Sequence, residues 1–329
     1  MARTSKKSSS TPFVPTRNTQ FARYLSWTTI WVMFAFLINN FLTNIWNFPG
    51  ANLSGAQGII QTLLYPAALI IAYWVIHKSS TLSLRADSDR ISNMNVFLIR
   101  AAFWMVLIIG VVDLAISFLR IENFLEGIVG EDLAGKLGIA QFRGLYVHLP
   151  LIGISIVLAF FTKTLGFAWL TLLVVIAELI IVFSRFIFSY EQAFMADLVR
   201  FWYGALFLFA SAYTLVEEGH VRVDVFYAGF KEKTKGMVNA LGTIFFGISL
   251  CWTILLVGMA NKGSIINGPV FNFEITQQGY GMYVKYLMAA FLGIFAVSMM
   301  IQFSSYFLAA IADYRNDPDK RLPESSNAH

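Results

Sequence analysis

From Trp104 to Arg120 the chain reads WMVLIIGVVDLAISFLR, and from Trp169 to Arg185 it reads WLTLLVVIAELIIVFSR. Each stretch is apolar except for one interior acid, Asp113 or Glu178, and a closing arginine, Arg120 or Arg185. The tryptophan, the acid, the leucine after it, the phenylalanine and the arginine align. Runs of this kind suit hydrocarbon rather than water. A helix of about 20 mostly apolar residues crosses a bilayer core, and helix is the default there because each backbone amide must find a partner inside its own segment.

The rest of the chain agrees. Hydrophobic residues make up 57% of its 329 residues and charged residues 13%. The mean hydropathy is +0.64. A soluble domain is nearer a quarter charged. The sequence therefore reads as an all-α polytopic membrane protein, with spans at Leu25–Trp46, Ile59–Ile76, Ala101–Leu119, Leu145–Phe161, Leu165–Phe183, Phe201–Val216, Met237–Met259 and Met282–Ile311. Thr162, Lys163 and Thr164 separate the fourth and fifth runs, which together are too long for one crossing, so a tight hairpin is expected at Lys163. The basic start and the absence of a small-residue cleavage site keep the first run as a span rather than a signal peptide.

Orientation follows from the basic residues. With eight spans, 17 of the 24 Lys and Arg fall on the side of the two termini and 7 on the other. The positive-inside rule then puts both termini in the cytoplasm. The same distribution explains the net charge of +5 without a nucleic-acid partner. In the outer gap, Ile121, Phe124, Leu125, Ile128 and Val129 recur at helical spacing, with Glu122, Glu126, Glu131 and Asp132 at the polar positions. That pattern predicts an amphipathic helix in the interface. A second interfacial segment is expected over Val221–Phe230.

Little in the sequence calls for chemistry. There is no phosphate-binding Gly-rich loop with Lys and Ser or Thr, no cysteine pair, and no two of His77, His148, His220 and His329 are spaced as ligands on one helix face. No cofactor or metal ion is expected. Ionisable residues inside spans are costly and mark function or helix-to-helix ties. Asp113 and Glu178 each share a helix face with an arginine two turns on, Arg120 or Arg185, too far for direct contact. One reading is an ion path; the other is a carboxylate tied to a donor on a neighbouring helix. Each copy is followed by an acidic stretch and by Arg-x-x-Tyr opening the next span, Arg143 with Tyr146 and Arg200 with Tyr203, which suggests a parallel two-helix repeat.

The most specific segment runs from Glu191 to Phe226, EQAFMADLVRFWYGALFLFASAYTLVEEGHVRVDVF. Acidic residues and Arg200 stand at a span entrance. A span rich in small residues (Gly204, Ala205, Ala210, Ser211, Ala212) follows, and then Gly219, His220, Arg222 and Asp224. This resembles the small membrane subunit of tripartite ATP-independent periplasmic (TRAP) transporters, the DctQ-like family, over roughly Leu165 to Ile311. The chain then divides into a basic tail (1–23), an extension of four spans (24–163), a four-span module (164–313) and a disordered polar tail (314–329). The resemblance implies a bacterial inner-membrane protein that braces a large permease subunit, while a periplasmic binding protein delivers an organic acid for sodium-driven uptake. It implies no enzymatic activity. Asp113, Arg120, Glu178, Arg185, Glu191, Arg200, His220, Arg222 and Asp224 become candidate interface or structural polar residues. A stand-alone carrier using Asp113 and Glu178, or a membrane enzyme with His148 or His220 as base, are the alternatives.

Overall fold

A computed structural model describes residues 17–163, 167–190, 193–216, 227–275 and 281–317. Among them are eight helices long and apolar enough to cross a membrane. They are α1 (Arg17–Asn44), α2 (Gly55–Lys78), α3 (Leu84–Ile121), α6 (Ala140–Phe161), α7 (Phe167–Phe188), α8 (Ala193–Val216), α9 (Glu232–Gly258) and α11 (Lys285–Tyr314). Three short helices, α4 (Leu125–Val129), α5 (Glu131–Leu137) and α10 (Asn267–Asn272), lie in the connections. Eight crossings return the chain to the side it started from. We call that side the terminal end of the bundle and the opposite side the far end. The eight spans expected from hydropathy are all present, with the break at Lys163 between α6 and α7.

Two expectations need correcting. The third span begins at Leu84, not Ala101. Its first turns are too polar to register as apolar, yet Asp87, Ser88, Ser92 and Asn95 are buried. They face other helices, not water. Ser88 Oγ donates to Ser305 O at 2.9 Å, and Asn95 Nδ2 donates to Gln302 Oε1 at 3.2 Å, both across to α11. Polar side chains of this kind join helices inside a membrane, where hydrocarbon offers no alternative partner. The Ser83 side chain caps the start by accepting from Ala86 N.

The expected interfacial helix is instead two short ones. Asn123 (φ 58°) interrupts the chain after α3, and Gly130 (φ 84°) separates α4 from α5. Only glycine adopts the second conformation without strain. Leu125, Ala134 and Leu137 pack under this cap with Val129, Ile116 and Phe142, while Phe124 and Ile128 stay exposed. The second interfacial segment, through residue 226, and both polar tails except 17–23 and 314–317 lie outside the described residues.

α11 is the spine. It packs against α1, α3, α8, α9 and α10, and Phe291, Met300, Leu308 and Ala312 along it are at most 1% exposed. The spans before residue 163 and those after it therefore form one bundle. At the terminal end Arg85 pairs with Asp313 at 2.9 Å, and Arg23 pairs with Asp87 at 3.2 Å with both side chains fully buried. Small residues set the spacing elsewhere. A Cβ on Gly236 of α9 would sit 2.5 Å from Tyr314 N and 2.7 Å from Ala310 O of α11. Gly110 of α3 likewise leaves room for the Trp202 indole of α8.

α2 and α7 are peripheral. α7 packs mainly on α8, and toward α3 it leaves an apolar groove lined by Val111, Leu114, Phe118, Ile180 and Ser184.

Gly236→Ala is predicted to destabilise the bundle by about 1–3 kcal/mol, because backbone atoms cannot step aside as a side chain can. Thermal melting in mild detergent measures it. Gly242→Ala, where nothing lies within 4 Å of the added Cβ, is the control and leaves stability unchanged or raised.

Candidate functional site

The far end of the bundle holds a buried polar cluster around Asp113. α3 supplies the carboxylate, and α6 supplies Arg143 and His148. The segment entering α11 supplies Tyr283, and the first turn of α11 supplies Tyr286. Arg143 Nη1 donates to Asp113 Oδ1 at 2.9 Å, and both side chains are 0% exposed. Tyr283 N donates to Asp113 Oδ2 at 2.8 Å. His148 Nε2 lies 3.1 Å from Asp113 Oδ1, and its Nδ1 lies 2.7 Å from Tyr286 Oη. With Asp113 as carboxylate, the ring proton sits on Nε2, and a neutral ring accepts at Nδ1 from the Tyr286 hydroxyl.

The local winding of α6 makes this possible. Arg143 and His148 are five residues apart, which in an α-helix separates them by about 140° around the axis. From Gly144 to His148 the chain takes a π-turn, with Leu149 N donating to Gly144 O. The wider i→i+5 turn brings both side chains round to α3. Gly144 is needed for a second reason: a Cβ there would lie 2.2 Å from the Phe273 ring.

The arginine is well satisfied. Its Nε and Nη2 donate to Leu137 O at 2.9 and 2.7 Å, and Nη1 also reaches Ser117 Oγ at 3.2 Å. Its guanidinium lies 4.0 Å from the Tyr283 ring centroid. Arg120 donates to the Tyr283 hydroxyl, which donates to Gly138 O at 2.8 Å. Asp197 of α8 accepts from Met282 N at 3.1 Å. Two carboxylates, one from before residue 163 and one from after it, thus hold the consecutive amides of Met282 and Tyr283 just before α11. The cluster is a clamp between α3, α6, α8 and α11. The Arg23–Asp87 pair at the terminal end is less complete: Arg23 Nη1 and Asp87 Oδ1 have no hydrogen-bond partner among the described residues.

The candidate residues separate accordingly. Asp113 and Arg120 belong to the clamp. Asp113 is tied to donors outside its own helix. Glu178 and Arg185 are exposed on α7, whereas Asp113 is fully buried. Arg200, aligned with Arg143 in the proposed repeat, meets Asp197 at 3.8 Å with its side chain 69% exposed. The acid–arginine contact of the first copy is therefore not reproduced in the second. Glu191, His220, Arg222 and Asp224 lie outside the described residues. His148, considered as a base, is 0% exposed with both ring nitrogens engaged. The small residues of α8 pack internally: Ala205 and Ala212 are 0% exposed, and a Cβ on Gly204 would meet Phe291 of α11 at 3.9 Å. Tyr283, Tyr286 and Asp197 were not foreseen, and Arg143 was seen only as part of a repeat. Its place at the entrance of a span was the available signal. Among the described residues no group of His, Cys, Asp and Glu is arranged to hold a metal ion.

Arg143→Met is predicted to cost about 3–5 kcal/mol, since it strands Asp113 in a dry site. A fall in melting temperature in mild detergent reports it. Asp197→Asn, which keeps an acceptor for Met282 N, costs about 1 kcal/mol or less by the same measurement.

Comparison with known proteins places the second half of this bundle. Residues 171–311 match the family model described as tripartite ATP-independent periplasmic transporters, DctQ component. No curated protein and no solved structure matches the chain. The matched segment opens in α7 and closes near the end of α11. Residues 171–311 are thus similar to the DctQ component of the tripartite ATP-independent periplasmic transporters, and α1, α2, α3 and α6 precede the matched segment.

Proposed function

We propose that this chain is the small membrane subunit of a TRAP-type secondary transporter. It braces a larger permease subunit in a bacterial inner membrane. The permease takes an organic acid from a periplasmic binding protein and moves it inward with sodium. The family match over residues 171–311 carries the reading.

The packing supports a bracing role. α11 belongs to the matched segment, and α1 and α3 grip it from outside that segment. A partner bound to the module would lean on a frame of eight helices instead of four. Ion pairs fix the frame at both ends, Arg23–Asp87 and Arg85–Asp313 at one and Arg143–Asp113 at the other. In this reading the termini and the His220–Arg222–Asp224 stretch face the cytoplasm. Arg222 there would pair with an acidic group or a phosphate, to which its forked guanidinium is suited.

Purification from the native membrane in mild detergent is expected to bring down a larger polytopic protein. That pair, reconstituted with its binding protein, is expected to take up an organic acid along a sodium gradient. Replacing Arg222 and Asp224 together is expected to weaken assembly or abolish uptake. Transport by this chain alone in liposomes would contradict the proposal, as would its purification without a larger partner.

A further inference from the structure

Glu178 is the twelfth of the 22 residues of α7. At 1.5 Å per residue that helix is about 33 Å long, so the carboxylate sits at mid-membrane depth. It is exposed, with Leu179, Val175 and Val182 exposed around it. It makes no ion pair or hydrogen bond among the described residues. The buried line of α7 runs through Leu170 and Ala177, and these face α8. Glu178 stands one residue, about 100°, around the helix from Ala177. Thr171 and Arg185, seven residues to either side, share its face.

Hydrocarbon does not tolerate a carboxylate there. Ionisable side chains at this depth turn inward to a partner or to water. Asp113, at the aligned position of α3, does so by meeting Arg143. Arg200, aligned with Arg143, is engaged instead with Asp197. α7 is also the least covered span: 11% of its most apolar stretch is buried, against 22–56% in the other seven.

We propose that the Glu178 face of α7, with Val175 and Val182, docks a transmembrane helix of the larger permease, and that this helix presents a basic side chain to Glu178 at mid-membrane depth. The proposal rests on the subunit role given above. It names the contact surface and the chemistry of the partner: one cation on an otherwise apolar helix. Charge complementarity selects this occupant over lipid tails, which offer nothing to a carboxylate. It also selects it over the same face of a second copy, which would set two acids against each other.

The test uses the full chain co-expressed with its permease. Photo-cross-linkers replacing Val175 or Val182, with Glu178 intact, are expected to give an adduct with the permease. Glu178→Leu is expected to lower the co-purified permease by about tenfold or more, the effect of losing one good charged contact. The same variant leaves the melting temperature of the isolated chain unchanged or higher, since no contact within the chain is lost. Adducts with lipid only, or with a second copy of this chain, overturn the proposal. So does undiminished permease on the Glu178→Leu variant. If the unaltered chain brings down no permease, the subunit role itself falls, a result distinct from either of these.

Discussion

A charge buried in a membrane protein has no water to fall back on, and the Asp113–Arg143 pair is where this chain meets that constraint most completely. Every atom of the pair that can take a hydrogen bond has been given one, from α3, α5, α6 and the entrance to α11. That saturation requires all four to be in place at once. The partners of Asp113 lie 30, 35 and 170 residues away. The π-turn of α6, the glycine at 144 and the two short cap helices over the far end all serve the same geometry. Such a clamp is a device for specificity more than for stability. A well-packed apolar core could be as stable, but it would not fix the register of four helices so narrowly.

The matched segment packs as one body with the spans that precede it. Its last helix is the most buried of the eight spans, and α1 and α3 provide much of that cover. Tight glycine contacts, as at Gly110 against Trp202, bring the two parts into direct contact. What the first four spans contribute is visible in this packing: they cover α11, tie its C-terminal end through the Arg85–Asp313 pair, and hold the segment before its start through the Tyr283 N–Asp113 hydrogen bond.

The apolar runs made the eight spans legible, because hydropathy is a local property and the bilayer thickness is fixed. Where polar residues were buried by another helix, the local signal failed. The first turns of α3, with Asp87, Ser88 and Asn95, read as a loop because nothing in that stretch reveals Ser305 and Gln302 across the bundle. The outer gap had helical periodicity, but Gly130 at positive φ divided it. Asp113 and Glu178 stood out as acids in apolar runs of nearly the same sequence. Their surroundings differ entirely, since burial depends on what packs alongside and not on the run itself. The partners of Asp113 were hidden for the same reason, and a π-turn leaves no mark in the spacing of residues.

The central claim is that the spans before residue 163 and those after it form one cooperative bundle. Co-expressing residues 1–163 and 164–329 as two separate polypeptides tests it most directly. The account predicts that they assemble in the membrane and co-purify in equal amounts through mild detergent. Two halves that purify apart, each folded and helical without the other, would contradict it.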